Sequence, residues 1–167
     1  MTQTPLATLE TFYDAFRALD PETMRACYAP AARFDDPVFG LSGRDEIGGM
    51  WQMLCEGVRA KGRADWRLEF RDLAVERGRG RAHWEARYRF SATGARVHNV
   101  VDAEFDFADS GLILTHRDRF DLWRWSRQAL GTKGLLLGWM PWFKAQIRIE
   151  AGRRLDTWRA RAPQSIF

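Results

Sequence analysis

Residues 82–107 read AHWEARYRFSATGARVHNVVDAEFDF, and this stretch decides the fold. In each half, apolar and polar side chains alternate with a period of two, and Thr93-Gly94 separates the halves. Such alternation is typical of paired antiparallel strands with one apolar face. The same period continues over residues 66–75 and 112–120, so we expect a meander of four long strands.

Three helical patterns precede this meander. Thr4-Pro5 and Asp20-Pro21 each join a capping side chain to a proline, and Ser42 with Asp45 resembles a capping box. Helices in this position cover the apolar face of a sheet. A slip of parity after Phe70 predicts a bulge that bends the first long strand. The sequence therefore predicts an α+β fold, a curved antiparallel sheet wrapped around N-terminal helices as a cone with one open end, followed by C-terminal helices.

The chain divides at about residue 122. We expect one cone domain over residues 1–122 and a C-terminal helical extension over residues 123–167 that is not an independent domain. The extension holds nine basic and two acidic residues, a net charge of +7, whereas the whole chain carries +4.

We expect its apolar run, Leu135 to Phe143, to form a lid or a partner contact hinged at glycines 131, 134 and 138. The helix after Pro141 carries an apolar stripe of Phe143, Ile147, Ala151, Leu155 and Trp158. We expect this basic helix to lie outside with its arginines in water. Contact of this basic segment with a nucleic acid or a membrane surface is the alternative.

The remaining composition limits location and cofactors. The first residues lack a signal-peptide pattern, and no apolar run reaches the ~18–20 residues of a membrane span. We therefore predict a cytoplasmic protein without a membrane span. Since the basic residues are spread along helices, no nucleic-acid partner is predicted. Cys27 and Cys55 lie on apolar helical faces and are expected to be buried free thiols. The histidines show no ligand spacing with the cysteines, so neither a metal nor another cofactor is predicted.

Three segments carry a resemblance to a known superfamily. They are YAPAARFDDPV at Tyr28 to Val38, the helix start at Ser42-Gly43, and residues 105–114 with their Phe-Asp-Phe and Gly-Leu-Ile-Leu runs. Together they resemble the nuclear-transport-factor-2-like superfamily, which includes SnoaL-like and ketosteroid-isomerase-like domains. The resemblance covers about residues 4–122. It implies the cone fold but not an activity, because this fold hosts many unrelated functions.

The resemblance also indicates individual positions. The proton-shuttling carboxylate of ketosteroid isomerase falls on Asp36, but its two oxyanion donors fall on Phe12 and Ala103. Neither of these side chains donates a hydrogen bond, so steroid isomerisation is not expected. The acid/base aspartate of SnoaL-type cyclases falls on Asp118. His116 has the same strand parity as Asp118 and Leu114, so we expect it to face the interior as well.

These positions define a candidate site in the cone. The predicted catalytic residues are Asp36, His116 and Asp118. The predicted substrate-binding residues are Tyr13, Trp51, Trp84, Tyr88, Asn99 and Phe120. A carboxyl group in an apolar cavity has a raised pKa and exchanges protons near neutral pH. We therefore expect isomerisation, dehydration, aldol cyclisation or epoxide hydrolysis on a hydrophobic small molecule.

Structural explanations exist for each predicted catalytic residue. Asp36 before Pro37 could cap a turn, His116 could be a hydrogen-bonded interior histidine, and Asp118 could pair with an arginine. In that case the protein is a non-catalytic ligand-binding or dimerisation module.

The outward face of the meander is the expected partner surface. His83 and His98 have outward parity, and the same face presents Val100, Asp102, Thr115 and Arg117. This mixture suits a polar interface of standard size. Many proteins of the superfamily pair sheet to sheet, so the resemblance also implies a homodimer.

Overall fold

The computed structural model describes residues 3–161. Its helices are α1 (Pro5–Ala18), α2 (Pro21–Ala26), α3 (Arg44–Ala60), α4 (Leu122–Leu130), α5 (Thr132–Leu137) and α6 (Pro141–Arg161). Its strands are β1 (Tyr28–Asp35), β2 (Gly40–Ser42), β3 (Arg67–Glu76), β4 (Arg79–Arg89), β5 (Arg96–Phe107) and β6 (Ile113–Arg119). A short 3₁₀ turn at Arg63–Asp65 joins α3 to the meander.

The strands form one sheet in the order β2-β1-β6-β5-β4-β3. The predicted meander is confirmed, since β3, β4, β5 and β6 pair antiparallel in succession. The predicted bulge is also present: the β3–β4 register shifts between Arg71 and Ala74, and Asp72 has a φ of 58°. A bulge of this kind increases the local twist and bends the strand.

One strand pair departs from the predicted antiparallel sheet. β1 runs parallel to β6, with Phe34 opposite His116 and Asp35 opposite Arg117. No local pattern predicts this pairing, because β3, β4 and β5 lie between β1 and β6 in the sequence. The parallel pair brings the end of β1, and Asp36 after it, next to the strand that carries Asp118.

The predicted parity of β6 is right for two residues and wrong for a third. His116 and Asp118 are buried, as expected, but Leu114 is 37 % exposed and Ile113 takes its place in the core. The reason is a register shift against β5 between Asp106 and Phe107, which reverses the parity at the start of β6.

The helix caps follow the prediction at two of three sites. Thr4 Oγ1 accepts from the N–H of Ala7, and Asp20 Oδ1 accepts from the N–H of Thr23. At α3 the predicted capping box is wrong: Gly43 is the N-cap, without a side-chain cap bond. Glu46 instead accepts from the backbone N–H of Ser42, at 2.8 Å.

The core lies between the concave sheet face and the helices α1 and α3. Phe12 of α1 packs edge-on against the rings of Tyr28, Trp51 and His116, with centroids 5.6–5.7 Å apart. Such pairs add to the stabilisation that apolar burial provides. Both cysteines are buried free thiols, as predicted.

The C-terminal helices pack against the open end of the cone. Exposure of most of the apolar run argues against the predicted lid, whereas the partner contact stays a prediction. Phe143 of the apolar run reaches the interior, whereas Leu136, Trp139 and Trp142 are 67 %, 61 % and 58 % exposed. Gly134 and Gly138 are packing glycines and not hinges. A Cβ on Gly134 would lie 1.9 Å from Ser126 O, and one on Gly138 would lie 2.2 Å from Ser126 Oγ.

The convex sheet face carries a charged network. Glu85 lies within 2.7 Å of His98 Nε2 and also contacts His83 and Arg71. The hydrogen bond from His98, followed by those from His83 and Arg71, lowers the pKa of Glu85 to about 2.

The homodimer expected through this face stays a prediction. Among residues 3–161, no helix is both long enough and apolar enough to cross a membrane.

Candidate functional site

A cavity of about 430 Å³ occupies the cone between the concave sheet, α3 and α6. This volume lies within the usual range for small-molecule sites. Most of its wall is apolar or aromatic. Seven of the nine predicted site residues line it: Asp36, Trp51, Trp84, Tyr88, Asn99, Asp118 and Phe120.

The other two predicted residues lie behind the wall. Tyr13 is fully buried and stacks on Phe70, with centroids 5.2 Å apart. Its hydroxyl has no hydrogen-bond partner among the described residues. His116 is 2 % exposed and contacts Asp118 instead of the cavity. Sequence parity places a side chain on a face but does not distinguish the cavity wall from the layer behind it.

Asp36 lies in the turn between β1 and β2. Its Oδ1 accepts from the backbone N–H groups of Val38 and Phe39, at 2.6 and 2.5 Å. The turn-capping role considered for this residue is therefore present, and the carboxyl group also lines the cavity.

Burial has the largest effect on the acidity of Asp36. It raises the pKa to about 7, and the negative charge of Asp118 acts in the same direction. The two backbone N–H groups and Arg148 lower the pKa, but they do not offset the loss of solvation. Asp36 is thus about half protonated at neutral pH.

Asp118 is held by a chain of buried side chains. Trp51 Nε1 donates to Tyr28 Oη at 3.0 Å, Tyr28 Oη lies 2.7 Å from His116 Nδ1, and His116 Nε2 lies 2.9 Å from Asp118 Oδ1. An indole N–H can only donate, so Tyr28 Oη accepts this hydrogen bond. The Tyr28 hydroxyl then donates its own hydrogen bond to His116 Nδ1. His116 then keeps its proton on Nε2 and donates to Asp118. The partner of Asp118 is therefore a histidine and not the arginine considered from the sequence.

Sequence reasoning missed Tyr28 as part of this chain. Tyr28 begins β1, two residues after the end of α2 at Ala26. Burial raises the pKa of Tyr28 well above its usual value, so the hydroxyl keeps its proton. Its link to His116 depends on the parallel β1–β6 pairing, which no local pattern encodes.

Helix α6 closes the open end of the cavity. The apolar stripe predicted from the sequence is correct, but it faces inward: Phe143, Ile147 and Ala151 line the cavity and Leu155 is 1 % exposed. The expectation that this helix lies outside is wrong for this face. Three polar residues at neighbouring helical positions also line the cavity: Gln146, Glu150 and Arg154.

Contacts at both ends hold α6 in place. Arg148 Nη1 donates to the backbone carbonyl of Asp36 at 2.6 Å, and its Nη2 lies 3.5 Å from Asp35. Near the other end, Trp158 Nε1 donates to Glu56 at 2.9 Å. The helix is thus attached directly to the turn that positions Asp36.

Trp125 of α4 is a wall residue that the sequence did not indicate. Its Nε1 donates to Tyr88 Oη at 3.0 Å, and both side chains line the cavity. Burial raises the pKa of Tyr88 to about 12, so this hydroxyl remains a neutral donor. Within residues 3–161, His, Cys, Asp and Glu side chains form no group of three or more suited to a metal ion.

Solved structures share this fold at low sequence identity. An LEH-like epoxide hydrolase of M. tuberculosis is 19 % identical, with 82 % of this chain and 96 % of that chain covered and a TM-score of 0.59. A candidate polyketide cyclase of Xanthomonas campestris pv. campestris is 20 % identical, with coverages of 77 % and 98 % and a TM-score of 0.61.

A third structure is a hypothetical protein of Catenulispora acidiphila with a ketosteroid isomerase-like fold, in complex with trimethylamine. It is 13 % identical, with coverages of 76 % and 94 % and a TM-score of 0.58. A search of curated proteins finds no significant match. At these identities the structures establish the fold alone.

The family model for the SnoaL-like domain matches residues 9–116. This range extends from α1 into β6 and includes most of the cone, with Asp36 and His116 inside it. The protein therefore belongs to the SnoaL-like domain family, and its cone has the nuclear-transport-factor-2-like fold.

Proposed function

We propose that this protein is a cofactor-independent acid/base enzyme that acts on a hydrophobic small molecule. The observation that carries the proposal is that two carboxyl groups, Asp36 and Asp118, lie on the wall of one apolar cavity. Burying carboxyl groups is costly unless they are hydrogen-bonded or change protonation state. Two of them in one ligand-sized cavity favour a chemical role over a structural one.

Asp36 is the proposed proton-transfer residue. With a pKa of about 7, it is present as both acid and base near neutral pH, which is the condition for efficient general acid/base catalysis. As a base it takes a proton from carbon or oxygen of the substrate, and as an acid it returns one.

Asp118 is the proposed partner at the polar end of the substrate. His116 holds one of its oxygens, and Tyr28 and Trp51 fix the orientation of His116 from behind. We therefore assign His116 a positioning role and not direct contact with the substrate. The epoxide hydrolase and the candidate cyclase of similar fold suit this reading, because both reactions use proton transfer at oxygen or carbon.

A non-catalytic ligand-binding module is the second candidate. The observation that favours it is the pair of backbone N–H groups bound to Asp36 Oδ1, which gives that side chain a structural reason to be present. In this case the cavity holds a hydrophobic ligand and the carboxyl groups only fix its orientation.

The test uses two probe reactions. One follows exchange of the α-proton of a hydrophobic ketone in D₂O by NMR, and the other follows the ring opening of a hydrophobic epoxide by mass spectrometry. Native mass spectrometry of the purified protein, by identifying a retained ligand, refines the choice of probe. We expect turnover by the wild type and a loss on the order of 10²–10⁴-fold in Asp36→Asn and in Asp118→Asn.

Asp35→Asn is the matched control. It makes the same chemical change one position away, on a side chain that is 62 % exposed. Its turnover should stay within a factor of a few of the wild type. Ligand binding, measured by quenching of cavity tryptophans, without turnover of any probe would support the binding module. Equal losses in all three variants would also contradict the proposed roles.

A further inference from the structure

Four large apolar side chains are exposed beside the cavity. Leu135, Leu136, Trp139 and Trp142, here called the α5–α6 patch, are 48 %, 67 %, 61 % and 58 % exposed. They fall within eight residues of sequence, and the Trp139 indole donates to Leu136 O at 3.2 Å. Solvent-exposed apolar side chains concentrated in this way mark a contact surface.

The orientation of the patch follows from the glycines of α5. Gly134 and Gly138 pack against Ser126 of α4 so closely that neither position accommodates a Cβ. The glycine face of this segment is therefore the buried one. Leu135 and Leu136 are left exposed on the other side of α5.

The segment that carries the patch has charged side chains of one sign, of which Arg148 is paired with Asp35 of the cone. Residues 122–149 contain five basic side chains, Arg124, Arg127, Lys133, Lys144 and Arg148, and no acidic one. Lys133 and Lys144 are exposed and flank the patch in sequence. Tryptophan and leucine surrounded by Lys and Arg are characteristic of segments that lie in the interface of an anionic bilayer.

The patch is also continuous with the cavity wall. Trp142 packs edge-on against Phe143, with ring centroids 5.9 Å apart, and Phe143 lines the cavity. The patch therefore borders the cavity wall at Trp142 and Phe143.

We propose that the α5–α6 patch docks this protein on an anionic phospholipid surface, with Trp139 and Trp142 in the interface and the flanking lysines on the headgroups. Docking requires the patch and its charges but neither Asp36 nor Asp118. It therefore extends the proposed function without depending on it.

Cosedimentation with vesicles tests the docking. We expect the wild type to bind vesicles of phosphatidylcholine with 30 % phosphatidylglycerol, used as a probe mixture, and to bind pure phosphatidylcholine at least about tenfold more weakly. Trp139→Ser/Trp142→Ser should lower binding to the anionic vesicles by about tenfold or more. Leu114→Ser is the matched control, since Leu114 is exposed on β6, outside the patch.

Charge-reversal variants distinguish the effect of the two flanking lysines on binding from the effect of net charge. Lys133→Glu/Lys144→Glu should abolish the preference for anionic vesicles. Arg33→Glu/Arg81→Glu changes the net charge equally on exposed strand positions and should preserve the preference. Circular dichroism confirms that each variant is folded.

Three results would overturn the proposal. The first is no binding of the wild type to anionic vesicles. The second is equal binding by the patch variant and the wild type. The third is that the patch variant differs from the wild type only in self-association, measured by light scattering. That result would assign the patch to contact with a second copy of the chain. Asp36→Asn should bind vesicles like the wild type, so a failure of the catalytic proposal is distinguished from a failure of docking.

Discussion

The cone and the C-terminal helices are built in different ways. In the cone, α1, α3 and the strands each contribute side chains to one continuous core, and the predicted catalytic residues lie on that framework. In α6, by contrast, only Leu155 of 21 residues is buried, Ala151 and Ile147 are partly buried, and Arg148 and Trp158 add hydrogen bonds to the cone. Residues placed by a packed core keep their geometry, whereas a helix with one buried anchor can move. Under the proposed function, the cone carries the chemistry and the C-terminal helices control access to the cavity.

The largest expected effect is in the cone. Phe12→Ala removes a ring that contacts Tyr28, Trp51 and His116, and should lower the free energy of unfolding by about 3–5 kcal/mol. Urea denaturation followed by circular dichroism measures this change. A loss below about 1 kcal/mol would show that the ring cluster does not organise the core.

Leu155→Ala should have a smaller effect and a different signature. Removing the one buried anchor of α6 should cost about 2–4 kcal/mol if the extension unfolds together with the cone. It should also open the cavity, seen as stronger binding of an apolar dye in the native state. Ile149→Ala is the control, because this side chain lies on the same helix and is 49 % exposed. Separate unfolding of α6, before the cone, would contradict the view that the extension is part of one folding unit.

Tyr28→Phe tests the hydrogen-bond chain behind Asp118. Without the hydroxyl, Trp51 Nε1 and His116 Nδ1 are left buried and unpaired, which should cost about 1–3 kcal/mol. The ¹⁵N chemical shift of His116 Nδ1 should also change, because this nitrogen loses its hydrogen-bond donor. Tyr88→Phe removes a hydroxyl that accepts an indole N–H at the cavity wall and should leave His116 unchanged. An unchanged His116 spectrum in Tyr28→Phe would refute the chain.

The last expected effect is a pH dependence of stability. The pKa of Asp36 is about 7 in the folded protein against 3.8 for an ordinary aspartate, so the folded state binds the additional proton. This contribution is fully present below pH 4 and is lost as the pH rises through 7. Asp36→Asn retains an oxygen for Val38 and Phe39 but does not titrate. Its stability relative to the wild type should therefore rise between pH 4.5 and 8 in urea denaturation, whereas a constant difference would contradict a raised pKa.

Local patterns predicted most of the cone. The alternation in residues 66–120 was sufficient for β3 to β6, and the parity slip after Phe70 predicted the bulge, because each depends on neighbouring residues. The resemblance contributed Asp36 and Asp118, which line the same cavity.

The features that sequence reasoning missed depend on distant contacts. The link from Tyr28 to His116 requires β1 to lie parallel to β6, 88 residues apart in sequence. The stripe on α6 was recognised, but periodicity shows only that a face is apolar and not what that face covers. Gly134 and Gly138 suggested hinges because close packing of glycine on a neighbouring helix has no local signature.

The most direct test of the account is an NMR titration of the Asp36 carboxyl carbon, assigned by its absence in Asp36→Asn. We predict a pKa of about 7 in the wild type, because the side chain is buried beside Asp118. In Asp118→Asn the pKa should be lower, since the neighbouring negative charge is gone. A carboxyl group that titrates near 4 in both proteins would contradict the proposal that these two aspartates form an acid/base pair.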